Sequence, residues 1–286
     1  MARLGDNRYG KAEVRLLKVD RSSARHVLHD LNVSVALSGE MDAVHLAGDN
    51  SAVLPTDTQK NTVYAFAREH GVGHAENFAL LLARHFVDTQ QAVHLARVSV
   101  EEHSWERVGE HSFTASGPET RTVTATYDGA RAWVVSGVRD LVLLNSTDSE
   151  FRDFATDRYT TLDETDDRIL CTSVTARWRH ASSDPGGADW QTSYDAARAA
   201  LVDAFAGTYS RSLQQTLFAM GERLVGTVPG VAEVRLRLPN RHHFLVDLEP
   251  FGLDNPGEVF HVDDRPYGLI EGTVLADDAS AEEAPW

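Results

Sequence analysis

Leu54-Pro55-Thr56-Asp57-Thr58-Gln59-Lys60-Asn61-Thr62 lies where an apolar run stops and a helical pattern begins. Thr and Asp are typical of helix starts, because their side-chain oxygens accept hydrogen bonds from the free backbone N–H groups there. A Thr-Asp pair recurs at Thr147-Asp148, after a second apolar run, and we expect a short helix to follow it as well. The same arrangement, used twice, indicates a chain built of two related halves.

Length and composition indicate an ordinary globular protein. The 286 residues suffice for about two domains of roughly 150 residues each. The hydrophobic fraction of 42% suits a packed core, and no apolar run approaches the roughly 18 residues that cross a bilayer. The N-terminal residues lack the apolar core of a signal peptide, and the last three residues are not the peroxisomal Ser-Lys-Leu signal. We therefore expect a soluble, cytoplasmic protein with no membrane partner.

Charge and cysteine content exclude other classes. The 27 basic and 43 acidic residues give a net charge of −16, which disfavours a nucleic-acid partner. Cys171 is the single cysteine, so an intrachain disulfide and a four-cysteine zinc site are excluded. The adjacent His242 and His243 point to opposite faces of a strand and would not normally share an ion. The sequence therefore predicts no metal site.

The hydrophobic pattern predicts strands interrupted by pairs of helices. The predicted strands are 13–19, 31–46, 91–106, 120–126, 132–144 (one strand or a pair), 169–179, 231–238 and 244–248. The predicted helices are 61–68, 75–87, 190–205 and 210–224, with a polar, Gly- and Ser-rich loop at 181–188. Two-helix excursions within antiparallel sheets indicate an α+β fold. We expect a domain boundary near residue 140 and a disordered acidic tail at 277–286.

Several polar residues beside these elements could carry chemistry, although each has an ordinary structural interpretation. Lys11 alone reads as a solvated surface lysine, and Thr56-Asp57 as a helix cap. Phe151 is typical of a core, and Arg168 of a surface ion pair of small energetic value. Asn240 is a natural turn residue. No single one of these residues decides a function.

Taken together and in order, the motifs resemble the urate oxidase family over about residues 8–275. The motifs that carry the resemblance are Tyr9-Gly10-Lys11, Thr56-Asp57 with Lys60-Asn61-Thr62, Asn145-Ser146-Thr147-Asp148-Ser149-Glu150-Phe151, Tyr159-Thr160-Thr161-Leu162, Asp167-Arg168-Ile169-Leu170, Leu213-Gln214, and Leu238-Pro239-Asn240-Arg241-His242.

The resemblance implies the tunnelling fold (T-fold) in two tandem domains, 1–140 and 141–276. Each would be an antiparallel four-stranded sheet with a helix pair on one face. It also implies a homotetramer with sites at subunit interfaces. One chain would supply Lys11, Thr56 and Asp57. Its neighbour would supply the remaining residues, namely Phe151, Arg168, Leu213, Gln214, Asn240 and His242.

The implied reaction is urate, dioxygen and water giving 5-hydroxyisourate and hydrogen peroxide, without a cofactor or metal. Phe151 would stack on the flat substrate, and Arg168 would offer a planar fork of donors to the anion. Gln214 has both a donor and an acceptor for an alternating edge. Leu213, Thr56 and Asp57 would bind through backbone groups.

The resemblance also assigns proton transfer to a relay of Lys11, the Thr56 hydroxyl and His242. A threonine is a poor base alone, and a neighbouring lysine can activate it. His242 can exchange protons near neutral pH. Asn240 would hold dioxygen, and then the attacking water, above the substrate ring.

Two alternatives stay open. One is another purine or pterin enzyme of the same fold, such as a zinc-dependent one. The other is a non-catalytic purine-binding scaffold that kept the fold and lost the chemistry.

Overall fold

The computed structural model describes residues 2–181, 189–277, 279 and 286, and in them eight strands form one antiparallel sheet. Each strand pairs with the next along the chain. The strands are β1 Tyr9–Asp20, β2 Val27–Gly39, β3 Val93–Arg107, β4 Phe113–Tyr127, β5 Ala132–Asn145, β6 Leu170–His180, β7 Val231–Leu245 and β8 Phe260–Leu275. The helices are α1 Asp42–Ala47, α2 Thr56–Glu69, α3 Ala75–Thr89, α4 Trp190–Gly207 and α5 Leu213–Thr227, with a 3₁₀ turn at Glu249–Phe251.

The helices pack on one face of the sheet and bury alternate strand residues. Leu31, Val33, Val35 and Leu37 of β2 are buried, in the period of two that a half-covered strand shows. Helix α3 lies against β3 and β4, and helix α5 lies against β7 and β8. The predicted α+β class, with sheets covered by helices on one face, is confirmed. The boundary near residue 140 stays a prediction.

The predicted strand 31–46 is wrong beyond Gly39, where β2 ends and α1 follows. The chain bulges between Ser38 and Gly39. A Cβ at Gly39 would collide with the main-chain oxygen of Ala92, so this close approach needs glycine. The apolar residues after position 41 therefore belong to a short helix.

The helix predicted after Thr147-Asp148 is also wrong, because no helix lies between β5 and β6 in the structure. Asp148 and Asp153 have φ angles of 60° and 54°, which a right-handed helix excludes. Isolated bridges hold this segment instead, joining Ser149 to Ser210 and Phe151 to Thr165. The second Thr-Asp pair therefore marks a bridged loop.

The region around Pro239 and Asn240, predicted to join two strands, lies inside the continuous strand β7. A register shift between Asn240 and His242 accommodates it. Proline and asparagine indicate turns, but a strand accepts proline at a bulge. Strand β8, which the sequence pattern does not predict, completes the sheet beside β7. Its Asp263-Asp264-Arg265-Pro266 stretch and two glycines obscure the alternation.

Two expectations fall outside the described residues. They are the loop at 181–188, beyond Ala181, and most of the tail at 277–286. None of the described helices combines the length and the apolar composition that crossing a bilayer requires.

Candidate active site

The first group of predicted site residues lies where β1 and α2 begin. Lys11 is the third residue of β1, opposite Val35 of β2, so its motif opens the strand instead of preceding it. Thr56 and Asp57 are the first two residues of α2. The backbone N–H of Leu54 donates to the Tyr9 hydroxyl at 3.0 Å and ties the two segments together. The structure therefore brings Lys11 and Thr56-Asp57 to one place.

The start of α2 differs from the predicted cap. Pro55 precedes the helix, and no side chain caps it. The Asp57 carboxylate accepts hydrogen bonds from Lys60 at 2.5 Å and Asn61 at 3.0 Å. The hydrogen bond from Lys60, followed by its charge, lowers the pKa of Asp57. Without a capping side chain, the first amides of the helix stay available to an acceptor from outside the helix.

The second group lines a cavity of about 600 Å³ between the segment 146–169 and strand β7. Phe151, Arg168, Asn240 and His242 all contribute to its wall. Two backbone hydrogen bonds shape the segment. Phe151 N–H donates to Thr165 at 2.9 Å, and Arg168 N–H donates to Ser149 at 2.8 Å. These bonds bring Phe151 and Arg168 together although Arg168 lies 17 positions after Phe151 in the sequence.

Within the part of the chain that the structure describes, Arg168 is a half-buried cation without an acidic partner. Its guanidinium carbon lies 5.0 Å from the centre of the Phe151 ring, and its Nε lies 3.5 Å from the Ser149 hydroxyl. Among the described residues, no carboxylate comes within 4.0 Å of it. Burial lowers the pKa of Arg168, since the charged form loses hydration. An anion entering the cavity would supply the missing charge partner.

Asn240 and His242 reach the cavity from β7, on either side of its register shift. Asn240 lies opposite Thr172 of β6 and Gly268 of β8. The His242 ring stacks on Phe244 with 5.7 Å between centroids. A carboxamide and an imidazole therefore face the same space as Arg168.

Leu213 and Gln214 lie at the start of α5 and do not line this cavity. Leu213 is buried and Gln214 is exposed. The preceding Ser210 is joined to the site segment, because Glu150 N–H donates to its carbonyl at 2.8 Å. Lys11, Thr56 and Asp57 do not line the cavity either, so one chain holds the predicted residues in separate groups.

Two residues matter to the geometry that sequence reasoning did not assign to the site. Ser149, fully buried, contacts Arg168, and Tyr9 braces the segment before Thr56. Tyr9 belongs to the motif Tyr9-Gly10-Lys11, and Ser149 belongs to the motif at 145–151. Nothing in the sequence shows which atoms these two residues contact. Among the described residues, no three His, Cys, Asp or Glu side chains converge as metal ligands would.

Known proteins match this chain along nearly its whole length. The Uricase family model matches residues 7–126 and 134–271. The uricase of Arthrobacter globiformis is 47% identical over 285 residues, which cover 99% of this chain and 93% of that protein. The uricase of Dictyostelium discoideum is 39% identical, covering 96% of this chain and 98% of that protein.

Solved structures match the fold as well. The crystal structure of the Arthrobacter globiformis uricase aligns with a TM-score of 0.94 and covers 99% of this chain and 98% of that chain. A uricase from Bacillus fastidious, 22% identical, has a TM-score of 0.82 over 94% of this chain and 93% of that chain, a likeness of fold alone. Together with the predicted motifs, these matches show that the chain belongs to the uricase family.

Proposed function

We propose that this protein is a urate oxidase, converting urate, dioxygen and water to 5-hydroxyisourate and hydrogen peroxide. The observation that carries the proposal is the environment of Arg168, a half-buried cation over the Phe151 ring with no carboxylate of the described residues within 4.0 Å. Urate is a flat anion, so its ring would stack on Phe151 while its edge accepts from the guanidinium. Asn240 and His242 line the same cavity.

The remaining substrate edge would bind elsewhere in the assembled site. Gln214 would read it with its donor and its acceptor. The backbone of Leu213 and the uncapped amides of Thr56 and Asp57 would complete it. Support for the last assignment is that no side chain caps the start of α2.

Chemistry would then consist of proton removal and delivery. Lys11 would activate the Thr56 hydroxyl, and His242 would exchange the proton across the ring. The deprotonated purine would give its electrons to dioxygen held by Asn240, and water would follow in the same place. Tyr9, through its bond to Leu54, would fix the distance between Lys11 and Thr56.

We further propose that each site is shared by two chains of a homotetramer. Within one chain, the cavity is lined by Phe151 and Arg168 but not by Lys11 or Thr56. The sheet also ends in two open edges, β1 and β8, whose unpaired backbone groups can join a neighbouring chain. Lys11 lies on the edge strand β1. A neighbouring chain joined at that edge would therefore bring its own cavity next to this Lys11.

A peroxide assay tests the reaction directly. Purified protein in air should consume urate and release one equivalent of hydrogen peroxide per urate. Arg152→Ala is a matched control, because Arg152 lies in the same segment but pairs with Asp166 on the surface. Retained activity in that variant, with the rate at low urate concentration reduced about a hundredfold in Arg168→Ala, supports the assignment. Intact urate after long incubation with the assembled wild-type protein would refute it.

Mixing variants tests the shared site. Lys11→Met and Arg168→Ala proteins, each strongly impaired alone when assayed at low urate concentration, should regain activity after joint dissociation and reassembly. Random pairing across a two-fold interface restores roughly a quarter of the sites. Lys11→Met mixed with Thr56→Ala is the control and should stay inactive, because both changes affect the same half-site. Equal recovery in the two mixtures would exclude a site divided in this way.

The alternative functions make different predictions. A zinc-dependent purine or pterin enzyme would lose activity on chelator dialysis and regain it with metal, whereas a cofactor-free oxidase keeps its activity. A purine-binding scaffold would bind urate without releasing peroxide. The cytoplasmic location stays a prediction.

A further inference from the structure

Gln59 is a fully buried amide in the apolar stripe of helix α2. The buried residues of this helix are Gln59, Val63 and Ala67, which lie four positions apart and therefore share one face. Val63 and Ala67 belong to the hydrophobic core of the first half of the chain. Glutamine is mostly exposed in proteins, because both ends of its amide need hydrogen-bond partners. Packing alone therefore does not explain an amide at position 59.

The amide is bonded to the segment that leads into α2. The Nε2 of Gln59 donates to the main-chain oxygen of Leu54 at 3.2 Å, and the backbone N–H of Gln59 donates to the Pro55 oxygen at 3.1 Å. A carbonyl oxygen can only accept, so Nε2 must face Leu54 and Oε1 must face away from it. Among the described residues, no donor reaches the buried Oε1. One end of the amide is therefore used and the other is unpaired.

Leu54 is held from two sides. Its backbone N–H donates to the Tyr9 hydroxyl at 3.0 Å, and its oxygen accepts from Gln59. We call Tyr9 and Gln59, with these two bonds, the Leu54 brace. The next residue, Pro55, has a ring that fixes its φ angle, here at −53°. A held Leu54 peptide and a fixed angle at Pro55 leave little freedom in the position of Thr56.

The Leu54 brace lies beside Lys11. Tyr9 is two positions before Lys11 on β1. The hydrogen bond from Lys60 is the main cause of the lowered pKa of Asp57, and the charge of Lys11 contributes as well. The start of α2 is therefore close enough to Lys11 to experience its charge. Proton transfer needs donor and acceptor within hydrogen-bond reach, so a small displacement of the threonine at this helix start would interrupt a relay.

We propose that Gln59 is a positioning residue, which holds the Leu54 carbonyl and so keeps the Thr56 hydroxyl within reach of Lys11. This inference rests on the proposed role of Lys11 and Thr56 in proton transfer. Gln59 acts through the backbone of Leu54. The unpaired Oε1 lowers stability, since a buried polar atom loses its hydration without gaining a partner. An amide that stabilises the helix start at this cost fits a function in placement.

Gln59→Met separates placement from stability. Methionine is unbranched and of similar length, and it removes the unpaired Oε1 together with the bond to Leu54. The midpoint of denaturant unfolding should stay equal to that of wild type or rise. The kcat for urate should fall about tenfold, while KM stays within about threefold, because Phe151 and Arg168 are unaltered. An unchanged kcat, or a change in KM alone, would overturn the proposal.

Coupling to Thr56 is the second readout. In the Thr56→Ala background, Gln59→Met should cause no further loss of kcat, because no hydroxyl remains to be positioned. Val63→Ala is the matched control, one turn further along the same stripe. Its cavity should lower the unfolding midpoint, and its effect on kcat should be equal with and without Thr56. The same tenfold loss from Gln59→Met in both backgrounds would exclude an action through Thr56.

Hydrogen exchange tests the Leu54 brace without any turnover. In the assembled protein, the peptide that contains Leu54 should exchange about fivefold faster in Gln59→Met and in Tyr9→Phe than in wild type, the order expected for one lost hydrogen bond. Val63→Ala should stay within about twofold of wild type. Equal exchange in wild type and Gln59→Met would overturn the brace whether or not urate is oxidised. Accelerated exchange in a protein that leaves urate intact would refute only the proposed reaction.

Discussion

Arg121 and Arg168 both lie over an aromatic ring, but Arg121 is paired with a carboxylate and Arg168 is not. Each guanidinium lies over an aromatic ring, Arg121 at 4.5 Å from Tyr194 and Arg168 at 5.0 Å from Phe151. Arg121 donates to both carboxylate oxygens of Glu76 at 2.9 and 3.0 Å. The Arg168 side chain has, among the described residues, a single hydrogen-bond partner, the Ser149 hydroxyl at 3.5 Å. A cation that the protein neutralises itself supports the fold, and one left without a partner can receive a ligand.

The neutralised arginine belongs to a buried junction between the halves. Arg121 also donates to Gln191, and Ser136 donates to Glu76 at 2.9 Å while lying 3.0 Å from Nε2 of His180. These residues come from β4, α4, β5, α3 and β6. We call Glu76, Arg121, Ser136, His180 and Gln191 the junction cluster. The hydrogen bonds of the junction cluster stabilise the fold, whereas the polar groups that line the site cavity can bind a substrate.

The largest effect should come from the proton relay. Lys11→Met or Thr56→Ala should each lower turnover by about 10²- to 10⁴-fold, the usual value of a positioned proton-transfer group. If the two residues act as one unit, the double variant should be no slower than the slower single variant. Initial rates of peroxide release measure this. Multiplicative losses would assign the two residues independent roles.

Arg121→Ala should be the most damaging change to stability. It leaves Glu76, which is fully buried, as an uncompensated charge, so the free energy of unfolding should fall by about 3–5 kcal/mol. Denaturant titration measures the loss. Arg198→Ala serves as the control, because that more exposed arginine pairs with Glu119 near the surface and should cost about 1 kcal/mol. Similar losses in both variants would show that the buried Arg121–Glu76 pair contributes no more to stability than the exposed Arg198–Glu119 pair.

Arg168→Ala should weaken substrate binding and leave stability nearly unchanged, whereas Arg121→Ala mainly lowers stability. The Michaelis constant for urate should rise about a hundredfold, equal to roughly 3 kcal/mol of lost charged hydrogen bonding. Stability should change by less than about 0.5 kcal/mol, because no carboxylate is abandoned. Arg168→Lys should recover only part of the binding, since an ammonium lacks the planar fork. An unchanged Michaelis constant in Arg168→Ala would remove Arg168 from the site.

Acid should weaken the junction cluster through His180. Burial lowers the pKa of His180 to about 4 from 6.5. Between these values the unfolded chain binds more protons than the folded one, so stability is fully present above pH 6.5 and falls as pH drops toward 4. The loss between about pH 7.5 and pH 5 should be about 2 kcal/mol.

Denaturant titrations across that range measure the slope. His180→Gln should flatten it, and His261→Gln at an exposed position should not. The raised pKa of Glu102, caused by burial, contributes a slope of opposite sign at pH values above its ordinary 4.5. A wild-type slope unaltered by His180→Gln would contradict the role of His180.

Ser149→Ala should give the smallest effect. The Ser149 hydroxyl contacts the Arg168 side chain through a long hydrogen bond of 3.5 Å. Its loss should raise the Michaelis constant about three- to fivefold, or roughly 1 kcal/mol. Ser146→Ala, in the same cavity wall but without a described bond to Arg168, is the control. Equal effects would show that Ser149 does not position Arg168.

The contrast between the two arginines also marks how far sequence reasoning reaches. Arg168 follows Asp166 and Asp167, so the sequence indicates a local ion pair. Instead, Asp166 pairs with Arg152, and Asp167 accepts from Thr147, so neither aspartate forms an ion pair with Arg168. The ion pairs of this bridged loop depend on the positive φ angles at Asp148 and Asp153. The hydrophobic periodicity of the sequence does not reveal these angles. The junction cluster was not predicted at all, because its members lie far apart in the sequence.

By itself, the sequence determined the α+β class, most strands, the four long helices and the family resemblance, because alternation and helical spacing are local properties. It also placed Phe151, Arg168, Asn240 and His242 on a list of candidates. Only the tertiary structure decided that these four share a cavity while Lys11 and Thr56 stand apart from it. It likewise decided which arginine has a carboxylate, since charge pairing depends on distances between segments that the order of residues does not specify.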